Sequence, residues 1–205
     1  MLTEIETHYR GLIERSPSLG ELCLTWCQAA SADQVVQALD VDVLDVTVSD
    51  LRDLVDESYE DLEEGRLGRF LMLAEEPPWF LAMELSGDRA FGALERLSTG
   101  GEAVCLIGSE TLYRFRLYYA RKGRLVCRFS HGEDIWGDTA PIEKHLTGLC
   151  HLHERYADVQ DGRGPGGGLL EDWRVHASIL MERITGVRLS FDLLGRKHAL
   201  YRLRG

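Results

Sequence analysis

The chain has 205 residues, 44% of them hydrophobic and 28% charged, with a formal net charge of −11. This is the composition of a globular protein, which excludes a disordered tail or a collagen-like chain, and no apolar run approaches the roughly 20 residues that a bilayer span requires. The negative balance argues against general electrostatic binding to nucleic acid or anionic lipid, so neither is expected as a partner.

In chain order, Leu2, Ile5, Tyr9, Leu12 and Ile13 recur at helical spacing and predict a helix over 2–15. Ser16-Pro17 stops it, and Ser18 with Glu21 has capping-box spacing. A second helix is expected over 19–29, carrying Leu22, Cys23, Trp26 and Cys27. Ser31 and Gln34 open a short third helix through Val35, Val36 and Leu39. Val41–Val48 is β-branched and reads as a strand, after which Ser49 caps a helix over 50–64. Arg69–Ala74 and Trp79–Leu85 read as two strands joined at Glu75–Pro78, and a short helix follows over Ala90–Ser98.

Glu102–Ile107 is another strand. The clearest hairpin pairs Leu112–Tyr119 with Arg124–Ser130, turning through Ala120-Arg-Lys-Gly123 with glycine where positive φ is needed. His131–Trp136 is a loop, and 141–156 is expected to be helical at least in part. The glycine-rich run 162–168 reads as a linker, and Leu169, Trp173, His176, Leu180 and Ile184 give a helix over 169–185 closed by Gly186. Ser190–Leu194 is a capped single turn, and Tyr201 and Leu203 alternate with Arg202 and Arg204 as a short edge strand. The fold class expected is α+β in a single domain: an acidic helical segment (1–68), a sheet core (69–130), a loop and linker region (131–168), and a C-terminal helix and tail (169–205). The antiparallel sheet should have about five strands, with one face on helices.

Some of these residues also carry a resemblance. Cys23-Leu-Thr-Trp26 near the start and Glu182-Arg-Ile-Thr-Gly-Val-Arg-Leu-Ser190 near the end stand either side of the Trp79 strand and the Ala93–Ser98 helix. This pattern resembles a family of uncharacterised actinobacterial proteins that open with a CLTW-like segment and close with an ER[LI]TGVRL[ST] segment. The resemblance spans about 20–195, departs in the stretch 137–168, and implies a compact α+β domain of the bacterial cytoplasm. It transfers no catalytic residues. The start Met-Leu-Thr-Glu-Ile-Glu lacks the basic and apolar regions of a signal peptide, and five scattered cysteines do not form a secreted disulfide framework.

The residues offer little chemistry. No G-x-S-x-G elbow, phosphate loop, C-x-x-C or H-E-x-x-H is present. His145, Cys150, His151 and His153 combine thiolate and imidazole donors, but without the paired spacing of a structural zinc site, so no metal and no cofactor are expected. The charge, in contrast, is segregated. Residues 1–105 carry 22 acidic and 7 basic groups, whereas residues 106–205 carry 12 acidic and 16 basic ones. The window 40–64 holds eleven acids and one base, and Asp53, Asp56, Glu57, Glu60, Asp61 and Glu64 form a candidate acidic docking face for a basic partner. Arg114, Arg116 and Arg128 should share one sheet face, with His131 and Trp136 beside them, as a candidate anion- or partner-binding site. The expectation is therefore a non-catalytic cytoplasmic interaction or accessory protein with an unidentified protein partner. The alternative is an enzyme or small-ligand binder that holds an anionic group on the arginine face. Monomer and homodimer are both open.

Overall fold

The computed structural model describes residues 2–66, 68–85, 87–109, 114–153 and 170–204. Its centre is an antiparallel sheet of nine strands rather than about five: β1 (Leu22–Gln28), β2 (Val43–Ser49), β3 (Phe70–Glu76), β4 (Trp79–Leu85), β5 (Glu102–Ser109), β6 (Arg114–Arg121), β7 (Arg124–Ser130), β8 (Trp136–Gly137) and β9 (His198–Leu203). The spatial order is β2-β9-β3-β4-β1-β5-β6-β7-β8.

Helices cover both faces of this sheet, not one. On the first face lie α1 (Leu2–Arg15), α3 (Leu51–Glu63), the long α7 (Leu170–Thr185) and the short α8 (Phe191–Gly195), packed on Leu24, Trp26, Met72, Leu81, Met83, Leu117 and Phe129. On the second lie α2 (Ala32–Leu39), α4 (Arg89–Gly92) and α5 (Leu94–Leu97), packed on Cys23, Cys27, Leu71, Leu73, Phe80, Cys105 and Tyr118. Among the described residues, the remaining helix, α6 (Glu143–Leu146), sits between 3₁₀ turns at Ala140–Ile142 and Cys150–His153. The result is a three-layer domain with two apolar cores, one on each side of the sheet.

Double coverage explains the largest departure from expectation. Residues 22–28 are not a helix. They form β1, between β4 and β5, after a 3₁₀ turn at Pro17–Gly20. A strand buried on both faces is apolar at consecutive positions, and over a run this short such a pattern does not distinguish strand from helix. Trp26 and Leu24 serve one core while Cys23 and Cys27 serve the other. The expected capping box at Ser18 does not form, because Ser18 lies inside the 3₁₀ turn. Similarly, β9 is not an edge strand: it lies between β2 and β3, and β2 is the edge.

Smaller differences are local. α3 is capped by Asp50, not Ser49, in a reciprocal capping box with Asp53. The helix expected over Ala90–Ser98 breaks at Ala93 into α4 and α5. The region expected to be helical over 141–156 is α6 with its flanking turns, and 154–156 and the linker 162–168 lie outside the described residues. The hairpin turn is Lys122–Gly123, both at positive φ (50° and 76°), which matches the twist of the flanking strands.

Candidate functional site

The arginine row forms as expected in part. Arg116 lies opposite Ser130, and Arg128 lies opposite both Tyr118 and the β8 residue Trp136, so these groups share the second sheet face beyond the edge of α4 and α5. Arg114 begins β6 opposite Ser109, and its side chain lies outside the described ones. Arg128 is 3.5 Å from the Glu133 carboxylate, while its Nε and the Ser130 hydroxyl are buried without hydrogen-bond partners. Trp136 is 51% exposed beside it. His131 does not join this group. Its amide bonds to Phe115, and its ring stands edge-on to Trp173 of α7, on the other side of the sheet.

The acidic residues of α3 divide into two sets. Asp53 closes the capping box, and Lys197 stands 3.7 and 3.6 Å from Asp50 and Asp53. Asp61 is buried and takes two hydrogen bonds from Arg66, so it is not part of a docking face. Glu57 is half-buried, and burial pushes its carboxyl above the ordinary value. Asp56, Glu60, Glu63 and Glu64 point outward, and with them stand Tyr59 and Leu62, 46% and 41% exposed. Arg52 reaches Asp56 at 3.6 Å, and Arg66 pairs with Glu64.

Four of the five cysteines are core residues. Cys23 and Cys105 have sulfurs 3.6 Å apart, and hydrogen bonding between them together with burial pushes the Cys23 thiol up. Burial pushes Cys27 and Cys127 up to about 12. Such thiols are poor nucleophiles. A cleft of about 530 Å³ near Cys27 is lined by Gln28, Gln34, Arg96 and Thr99. The Arg96 guanidinium there is already bonded to the carbonyls of Ala38 and Leu39.

Two arrangements were not apparent from the sequence. Glu84 lies within the apolar run of β4, fully buried, and its carboxylate accepts the amides of Arg89 and Ala90 at 3.2 and 2.9 Å. Burial pushes it up to about 7. Its only signal in the sequence is an acid inside a continuous hydrophobic strand. The second is a cluster of Cys150, His151 and His176, whose ligand atoms lie within 4.8 Å of one another. Of the four donors singled out by composition, Cys150 and His151 come together. His145 does not join them: burial and the neighbouring Lys144 lower its pKa, and its carbonyl binds Arg183. The side chain of His153 lies outside the described ones.

Residues 14–203 match a family of unknown function, DUF6461. The chain belongs to that family. No curated protein and no solved structure matches it. The family span takes in all nine strands, the arginine row, the acidic helix and the cluster of Cys150, His151 and His176, and leaves out most of α1. Among the described residues of this DUF6461 protein, no helix is long and apolar enough to cross a membrane.

Proposed function

We propose that this DUF6461 protein is a non-catalytic interaction or accessory protein of the actinobacterial cytoplasm, immunity-like or serving a biosynthetic pathway, that docks a basic partner through the outward face of α3. The observation that carries this reading is the pair Tyr59 and Leu62, exposed within the field of Asp56, Glu60, Glu63 and Glu64. An aromatic and an aliphatic anchor ringed by like charges suits a partner with an apolar contact set in a basic rim, since hot spots are apolar and rim charges steer association. The test is co-purification with the products of neighbouring genes, comparing the wild type with a Tyr59→Ala/Glu60→Lys/Glu63→Lys variant. A partner retained by the wild type, lost by the variant, and bound more weakly as salt rises is the expected result. A wild-type protein that binds no such product while turning over a small molecule refutes the reading.

A second reading rests on the unpartnered Arg128 Nε and Ser130 hydroxyl beside Arg116 and Trp136. These would hold an anionic group of a small ligand. It predicts a phosphate-induced rise in Tm that disappears in Arg116→Ala, with partner binding through α3 intact.

A further inference from the structure

We infer that Cys150, His151 and His176 bind a single zinc-class divalent cation, with Glu6 positioning His176. The donors come from distant parts of the chain, the 3₁₀ turn Cys150–His153 and the middle of α7, and the positioning carboxylate comes from α1. Their convergence is not an accident of one exposed loop, because α1 is clamped to α7 on both sides of the site. Arg10 bridges Glu171 and Asp172 at 2.6 and 2.5 Å, and the Tyr9 hydroxyl donates to Glu182 at 2.8 Å. His176 is 3% exposed, and its ring lies 4.5 Å from that of His151.

The hydrogen bonds of His176 fix which nitrogen is available. Nε2 lies 3.3 Å from the Glu6 carboxylate, and Nδ1 lies 3.2 Å from the His151 amide, so the proton is on Nε2 and the Nδ1 lone pair faces the turn that carries Cys150 and His151. A histidine that donates one N–H to a carboxylate and offers its other nitrogen to a metal is the usual outer-shell arrangement of zinc proteins. Binding at Nδ1 exchanges a long amide contact for a metal bond. One thiolate and two imidazoles select a borderline-soft cation such as Zn²⁺ or Co²⁺ over Mg²⁺ or Ca²⁺. Cys150 is exposed, which gives the ion a route in and leaves a coordination position to solvent.

The experiment uses the full chain, stripped with chelator and titrated with Co²⁺ and then Zn²⁺. One equivalent of Co²⁺ is expected, with the d–d spectrum of a tetrahedral site and a thiolate-to-cobalt charge-transfer band, displaced by Zn²⁺. Cys150→Ser removes an exposed sulfur and keeps the fold, which a thermal melt verifies, and it should lose the charge-transfer band. Glu6→Gln keeps that band and weakens binding by about 10- to 100-fold. The absence of a bound equivalent in the wild type, or an unchanged charge-transfer band in Cys150→Ser, overturns the inference.

Discussion

Glu84 makes the stability of this fold fall as pH rises from 4.5 to about 7. The side chain is fully buried on β4, opposite Cys23 of β1, and its two hydrogen bonds come from amides in the first turn of α4. These bonds favour the carboxylate, but burial outweighs them and lifts the group from 4.5 to about 7. The folded state therefore binds a proton that the unfolded state has already lost between those two values. Stability from this group is fully present at low pH and is lost as pH rises toward 7. At 1.36 kcal/mol per pH unit, the gap corresponds to about 3 kcal/mol, of which about 2 kcal/mol falls between pH 5.5 and 8. The lower limit stays above the sequence pI of 5.1, where solubility is poorest. The assay is urea unfolding of the wild type and Glu84→Gln at both pH values. Glutamine keeps a carbonyl acceptor and cannot ionise, so the variant should gain about 2 kcal/mol on the wild type across that interval. Parallel pH profiles for the two proteins would refute the assignment of a buried, proton-binding Glu84.

Other expectations follow from packing and caps. Trp26→Ala empties a fully buried site in the first core and should cost about 3–5 kcal/mol, read by chemical denaturation. Asp50→Ala removes the acceptor for the amides of Arg52 and Asp53 and should cost about 0.5–2 kcal/mol, with a Tm lower by a few degrees. Gly137 has φ of 91°, and a Cβ there would stand 2.2 Å from the Val126 carbonyl oxygen. Because β8 is a two-residue edge strand, Gly137→Ala should release that strand rather than unfold the domain, which a change in tryptophan fluorescence without a large loss of Tm would report.

Much of the fold was legible because its outer elements obey simple periodicities. The stripe of Leu2, Ile5, Tyr9 and Leu12, the alternation of Phe115 and Leu117 with Arg116, and the Lys122–Gly123 turn each identify their element from local chemistry. The central strand β1 does not, because covering both faces erases alternation: Leu22-Cys-Leu-Thr-Trp-Cys27 is buried at every position. β9 was legible as a strand, from the alternation of Tyr201 and Leu203 with Arg202 and Arg204, but not as an interior one, because its neighbours on both sides come from residues more than a hundred positions earlier.

The charged faces were legible as composition but not as partnership. Nothing local assigns Asp61 to Arg66 and burial while Glu60, one residue earlier, stays exposed. On a helix, neighbouring residues point about 100° apart, so an acidic run necessarily splits between an inner and an outer set. The metal-like cluster shows the limit most clearly. Adjacent residues of a 3₁₀ turn project about 120° apart, so Cys150 and His151 do not converge by spacing alone. They form a cluster because α7 brings His176 to this turn and α1 holds it there through Glu6. His176 occupies a position in the apolar stripe of α7, where a 3.6-residue period marks it as core, and its two hydrogen bonds distinguish it only after three separate segments have packed together.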